Sequence, residues 1–381
     1  IDPLVTFFIT LANYGLLRHL LLGPNWTLWT LGWFAAGLGT ITKGVGGLAL
    51  LMILPAAIAS LMHWSRVRLH VRDLRFWIGP LAFAFAAALW LVPMVTTALS
   101  QDNPEYKAYL NDILFRQTAG RYAKSWDHAQ PPWYHFEVML TAWLPTVFAL
   151  IWALPAWRTR LRRRDARYLL PLAWWALIVL FFSIPSGKRD VYILPALPMM
   201  CLALGPLLPG IVRKLWAKRI AFGFAALLGT ALLGAGLAMW FGDPKFETKL
   251  MSDRGFTDGG HALFGLLIAM GAWSLASVSW HRVRNGVVGL LWAIGGIWVL
   301  YGLVAHPLLN PSSSARGLME SVGERIGPDA ELGLVGWKEQ NLLMADRPAA
   351  TFGFKTTWPD QLSKAMTWQA EAPTRRWLLV Q

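Results

Sequence analysis

Residues 157–182 read WRTRLRRRDARYLLPLAWWALIVLFF, six arginines within ten positions followed by an apolar run that ends at Phe182. About 20 apolar residues in helical form cross ~30 Å of hydrocarbon, so 168–184 reads as a membrane span. A second apolar segment, 136–157, stands on the other side of the arginines. A cationic run held between two spans is a topology anchor, which sets aside nucleic acid as the partner of this basic chain.

Outward from this stretch the pattern repeats. The 381 residues are 55% apolar and 15% charged, with 23 Trp and a formal net charge of +14. An ordinary soluble domain carries roughly 45–50% apolar residues, so that class is excluded. Trp favours the membrane–water interface, because its ring is apolar while its N–H needs a partner. Cys201 is the single cysteine, so no intrachain disulfide forms. The chain opens on Ile1-Asp2-Pro3 without Met, which leads us to expect that the natural N-terminus lies upstream.

Ten spans are expected, at approximately 3–22, 26–42, 45–62, 76–98, 136–157, 168–184, 191–211, 220–241, 262–280 and 287–306. Loops 63–75, 158–167, 213–219 and 281–285 together hold 16 Lys/Arg against two acids, Asp73 and Asp165. Loops 99–135, 185–190 and 242–261 hold 9 Lys/Arg against nine acids. The whole excess of charge thus lies on one side, which the positive-inside rule makes cytoplasmic. Threading from that side puts Asp2, Lys43 and the tail after residue 306 outside.

The expected architecture is an all-α polytopic membrane region, 1–306, followed by a small extracytoplasmic α/β module, 307–381. In that tail Ser314 caps a helix running to Ile326, Gly327-Pro328-Asp329 turns, and Glu331–Trp337 reads as a strand. A second strand over 349–353, a helix over 359–370 and a strand beginning at Trp377 follow. The module is expected to be incomplete, since it stops within a strand.

No Asp, Glu, Lys or Arg occupies the middle of the ten segments. Ion-coupled transporters place ionisable groups at that depth, so a transporter or flippase for a lipid-linked sugar is the lesser reading. A purely structural assembly subunit is a third, which retained activity in Lys43 or Lys188 variants would favour. Chemistry gathers instead at the outer ends. Asp2-Pro3 opens a helix, and its carboxylate is either a cap or a group that takes or orients a substrate hydroxyl. Lys43 lies among small residues in Thr42-Lys43-Gly44, where backbone can approach a phosphate. A nucleotide-binding loop is excluded there, because GxxxxGK[ST] is absent and no strand precedes it. Lys188 and Arg189 form a cation pair in a short turn. Either can be an interfacial anchor or a phosphate ligand. His128, His135 and Glu137 are candidate divalent-metal ligands, although H-x6-H-x-E matches no defined signature. Asp102, Glu105, Asp112 and Asp127 read as solvated loop charges. Tyr106, Tyr109, Tyr122, Trp126, Trp133 and Tyr134 offer aromatic faces for a sugar ring or the interface.

Segment 35–48, AAGLGTITKGVGGL, resembles the GLG-x-LTKG-x-x-GL signature of integral-membrane glycosyltransferases, the lipid A aminoarabinose transferases and their protein O-mannosyltransferase relatives. Residues 183–198, SIPSGKRDVYILPALP, are similar to the family's S-x-x-K-x-x-x-Y-x-L-P-x-x-P stretch, with Arg189-Asp190-Val191 replacing the commoner Leu-Pro-Thr. Pro131-Pro132-Trp133-Tyr134 resembles its P-x-W-Y motif, and Asp2 stands where the family has an Asp at the outer start of a span. The resemblance implies transfer of a sugar from a polyprenyl-phosphate carrier to lipid A, another glycolipid or protein, at the outer face of a bacterial inner membrane. It implies Asp2 as a catalytic group and Lys43, Lys188, Arg189, Tyr192, Trp133 and Tyr134 as substrate-binding residues. It also implies a principal acidic motif, with about three further spans, upstream of residue 1.

Overall fold

The computed structural model describes residues 2–64, 67–101, 104–114, 128–242, 260–353 and 356–381, and Thr248. They fall into two compact units, Ile1–Lys214 and Leu215–Gln381.

The first unit is helical. It comprises α1 (Asp2–Leu22), α2 (Trp26–Lys43), a 3-10 stretch (Gly46–Met52) running into α3 (Ile53–Leu61), and α4 (Ile78–Ser100) behind a 3-10 turn at Leu74–Trp77. After these come α5 (Pro104–Asn111), α6 (Tyr134–Ala142), α7 (Leu150–Arg162), α8 (Ala166–Ser183), a 3-10 turn at Asp190–Ile193, α9 (Ala196–Leu204) and α10 (Leu208–Ile211). Local chemistry sets the ends of these helices. The Asn25 side chain accepts from the Leu28 N–H at the start of α2, and Asp165 does the same for Arg167 at the start of α8.

The second unit holds α11 (Leu215–Trp240), α12 (His261–His281), α13 (Gly286–Leu300), a π-turn (Tyr301–Ala305) and α14 (His306–Ser313). Its C-terminal part alternates α15 (Arg316–Ile326), β1 (Glu331–Val335), α16 (Glu339–Met344), β2 (Ala349–Thr351), α17 (Trp358–Ala370) and β3 (Arg376–Val380). The three strands form a parallel sheet in the order β2-β1-β3, pairing Leu332 with both Ala349 and Trp377. Parallel neighbours need crossovers, which the helices supply. The expected tail elements are present within one or two residues, and the structure adds α16, whose six residues are too few for a periodic signal.

Each of the ten apolar segments contains helix, but they are not ten equal rods. Among the described residues six helices are long and apolar enough to cross a bilayer: Asp2–Leu22, Leu74–Ser100, Ala166–Ser183, Leu215–Trp240, His261–His281 and Val283–Asn310. A seventh crossing requires Tyr134–Ala142 and Thr146–Arg162 to act together, and these are bent by 99°. Gly46–Leu61 and Ala196–Ile211 are shorter, the latter broken into pieces where Pro206 and Pro209 remove backbone donors.

Tryptophan also divides into two uses. Trp280 and Trp298 are exposed, as interfacial residues should be, whereas Trp29 and Trp174 are fully buried. The buried indoles act as pins: Trp29 Nε1 donates to Phe76 O, and Trp174 Nε1 to Leu48 O, each at 2.9 Å. The second bond fastens α8 to the 3-10 stretch that follows Lys43.

Candidate functional site

Two clusters form in the first unit, one at the ends of α1 and α2 and one at a short bridge between distant segments. Gly44 adopts φ 79°, a left-handed value that glycine takes without cost, and its N–H closes on Thr40 O at 2.6 Å. Helix α2 therefore ends at Lys43, whose charge suits the negative end of the helix dipole. The chain then returns so closely that a Cβ on Gly46 would sit 2.1 Å from the Gly39 carbonyl carbon. Asp2 opens α1, at the end that favours negative charge. The Lys43 ammonium donates to Asp2 Oδ1, with both side chains 32% exposed. The Tyr192 ring stands over that ammonium, 5.5 Å from Nζ to centroid, and packs on Phe182 at 5.4 Å. Thr40 and Thr42 donate their hydroxyls to Ala36 O and Leu38 O, which leaves the Lys43–Asp2 pair as the charged group of this corner.

The second cluster joins segments far apart in sequence. Ala129 and Gly187 form an antiparallel bridge, flanked by Lys188 N–H to His128 O at 3.0 Å and Gln130 N–H to Ser186 O at 2.9 Å. This short ladder carries Lys188 inward, to 3% exposure, where its Nζ donates to Gln130 O at 3.0 Å. An interfacial anchor would reach the surface, and Lys188 does not. Among the described residues no carboxylate pairs with it. Arg189 is exposed and extended, and Asp190 closes the next turn by accepting from the Val191 N–H at 2.9 Å.

His135, in the first turn of α6, is fully buried with Nδ1 3.1 Å from Ser183 Oγ. Tyr134 is half-buried with its ring 5.6 Å from that imidazole, while Trp133 is exposed. Glu137 and His128 are exposed. Among the described residues no group of three or more His, Cys, Asp or Glu is placed to hold a metal, so His128, His135 and Glu137 are not brought together. His135 serves instead as a buried link between α6 and the end of α8.

Asp112, expected as a solvated charge, is buried. Tyr106 and Tyr109 are exposed on α5. Asp102, Tyr122, Trp126 and Asp127 lie outside the described residues, as does the side chain of Glu105. Sequence reasoning missed Gln130 as the acceptor of Lys188 and Ser183 as the partner of His135. No spacing announces contacts between residues 58 and 48 positions apart.

No family model matches the chain. It is 29% identical over 319 residues to an undecaprenyl phosphate-alpha-4-amino-4-deoxy-L-arabinose arabinosyl transferase of Pseudomonas aeruginosa PAO1, an alignment covering 81% of this chain and 53% of that protein. It is 30% identical over 269 residues to the protein of the same name from Erwinia tasmaniensis, covering 62% and 46%. The chain thus spans about half the length of the curated relatives it matches. A crystal structure of ArnT from Cupriavidus metallidurans bound to undecaprenyl phosphate superposes with a TM-score of 0.62 at 18% identity, over 98% of this chain and 63% of that one. The apo form of the same protein gives 0.61. The resemblance carried by the Lys43 and Lys188 motifs is therefore borne out: in sequence the chain is similar to undecaprenyl-phosphate aminoarabinosyl transferases, and it has the fold of ArnT.

Proposed function

We propose that this chain contributes the carrier-phosphate site of a glycosyltransferase, which moves a sugar from a polyprenyl phosphate to a glycolipid acceptor such as lipid A at the outer face of the membrane. The observation that carries this is Lys188, a buried ammonium with one backbone acceptor and, among the described residues, no carboxylate. An isolated buried charge is costly, and an anionic ligand removes that cost. A phosphate does so with short, charge-assisted hydrogen bonds.

The reaction suits such a site. The carrier phosphate leaves the sugar as an anion, and fixed cations lower the barrier where that charge develops. Lys43, a second cation on the 3-10 turn side through Tyr192, is held by Asp2 until an anion competes for it. Asp2, whose Oδ1 already accepts from the Lys43 ammonium, is assigned the role of orienting that cation. Trp133 and Arg189, both exposed, are open to the sugar or to lipid.

The test is Lys188→Ala in the full-length protein, scored by binding of a polyprenyl phosphate and by sugar transfer. Loss of one charge-assisted contact should weaken carrier binding or turnover about 10- to 150-fold. Lys188→Arg should restore only part, since a planar fork does not replace a compact ammonium. Unchanged binding and turnover in Lys188→Ala would overturn the proposal.

A further inference from the structure

The second unit carries a feature outside the site just described. Between α12 and α13 runs an apolar groove of about 610 Å³, floored by Gly295 and Gly296 and walled by Trp273, Leu291 and Trp292. A second groove of about 350 Å³ shares Trp273 and Trp292 with it and continues to Trp280 and His281, the last residues of α12. The one polar atom of Trp273 is spent on Trp292 O at 2.8 Å, which leaves its ring to face apolar matter. A Cβ on Gly295 would have no heavy atom within 4 Å, so the floor is open at that point.

Beyond the His281 end of the second groove the chain runs into a cationic turn. Arg282 follows His281 directly and Arg284 stands two residues on, both exposed. Gly286 seats the start of α13 against the backbone of α11 so closely that a Cβ there would lie 2.2 Å from Lys218 O. No Asp or Glu occurs in 191–242 or 260–319, so nothing in these helices neutralises the turn. Arg282 also sits at φ 52°, ψ 177°, a backbone region that is essentially glycine's. An arginine is thus held where local conformation favours its replacement.

We propose that this groove binds one anionic glycerophospholipid, an acyl chain lying along Trp273, Trp292 and Gly295 and the phosphate resting on Arg282 and Arg284. Apolar lining of this volume suits a chain-like ligand, and basic pockets between membrane helices attract anionic headgroups. The unneutralised turn selects a charged lipid over a zwitterionic one.

The experiment is native mass spectrometry of the full chain in mild detergent, equilibrated with equal phosphatidylglycerol and phosphatidylcholine of matched chains. The unmodified chain should retain one phosphatidylglycerol in preference to phosphatidylcholine. Arg282→Gly/Arg284→Gln should lower that retention at least about tenfold, as loss of charge-assisted contacts requires. Glycine relieves the backbone at 282, so the variant should melt no lower than the parent. Gly295→Leu, which fills the floor, should lower retention of both lipids. Equal retention of the two lipids by the parent, retention unchanged in both variants, or displacement of phosphatidylglycerol by an equal amount of polyprenyl phosphate would overturn the assignment.

Discussion

Asp2 and Lys43 meet as an ion pair across 41 positions of sequence because α1 starts where α2 stops. The pairing has a measurable signature. Both side chains are one-third exposed, and pairs of that kind add only about 0.2–1 kcal/mol to stability. Asp2→Asn and Lys43→Met should therefore each shift the melting temperature little. Transfer activity should fall far more steeply, by about tenfold or greater if Lys43 neutralises the carrier phosphate. A double-mutant cycle on stability and on turnover separates the two effects. Activity losses no larger than the stability losses would make the pair a fastening between helices and nothing else.

Gly46 gives a second, purely steric prediction. Gly46→Ala drives a Cβ into the Gly39 and Thr40 backbone, with approaches of 2.1–2.5 Å and no side chain able to yield. Overpacking of this kind costs roughly 1–3 kcal/mol and shifts backbone. Thermal melting should show that loss, and carrier affinity should fall with it, because the same approach fixes where α2 ends and Lys43 begins.

A third prediction concerns pH. The side-chain hydrogen bonds from Arg167 hold the Asp165 carboxyl below its ordinary 3.8. A depressed carboxyl stabilises the fold above its ordinary value, and the contribution disappears as pH falls through the lowered one. Asp165→Asn keeps a capping side chain but loses the pair, so it should melt below the parent at neutral pH by no more than about 1 kcal/mol. The difference should close at acid pH below 3.8, as followed by melts of the detergent-solubilised chain. A gap that persists there would mean the carboxylate's charge is not what matters.

Orientation is the fourth. With Cys201 replaced, single cysteines at Ser252 and Ser313 should react with an impermeant thiol reagent in intact cells, and one at Thr159 should not. The expectation rests on the +14 carried by one set of loops against zero for the other. Reaction at Thr159 alone would reverse the assignment of faces and move Lys43 and Lys188 to the cytoplasm.

Much of this molecule was legible in its sequence because the signals are local. Hydropathy marks each of the ten apolar segments, and Gly327-Pro328-Asp329 marks the turn before β1, whereas the caps at Asn25 and Asp165 were not read from it. The lysines at 43 and 188 were legible as candidates from small-residue settings and motif resemblance. Their different fates were not. Lys188 is buried because Ala129 pairs with Gly187, and Lys43 stays accessible because Gly46 folds back on Gly39. Both depend on contacts between segments, which composition and periodicity do not encode. The order β2-β1-β3 and the burial of Trp29 and Trp174 belong to the same class of fact.

The 99° bend between Tyr134–Ala142 and Thr146–Arg162 separates two demands on one stretch of chain. Insertion into a bilayer reads only summed apolarity, which a straight helix of the same residues satisfies equally well. The corner also sets the course of the residues before it, among them His135, whose Nδ1 lies 3.1 Å from Ser183 Oγ. A segment rebuilt as an unbroken leucine-rich helix from Val138 to Trp157 should thus integrate normally and still lose the link to α8. Hydropathy alone would score the two chains as the same protein.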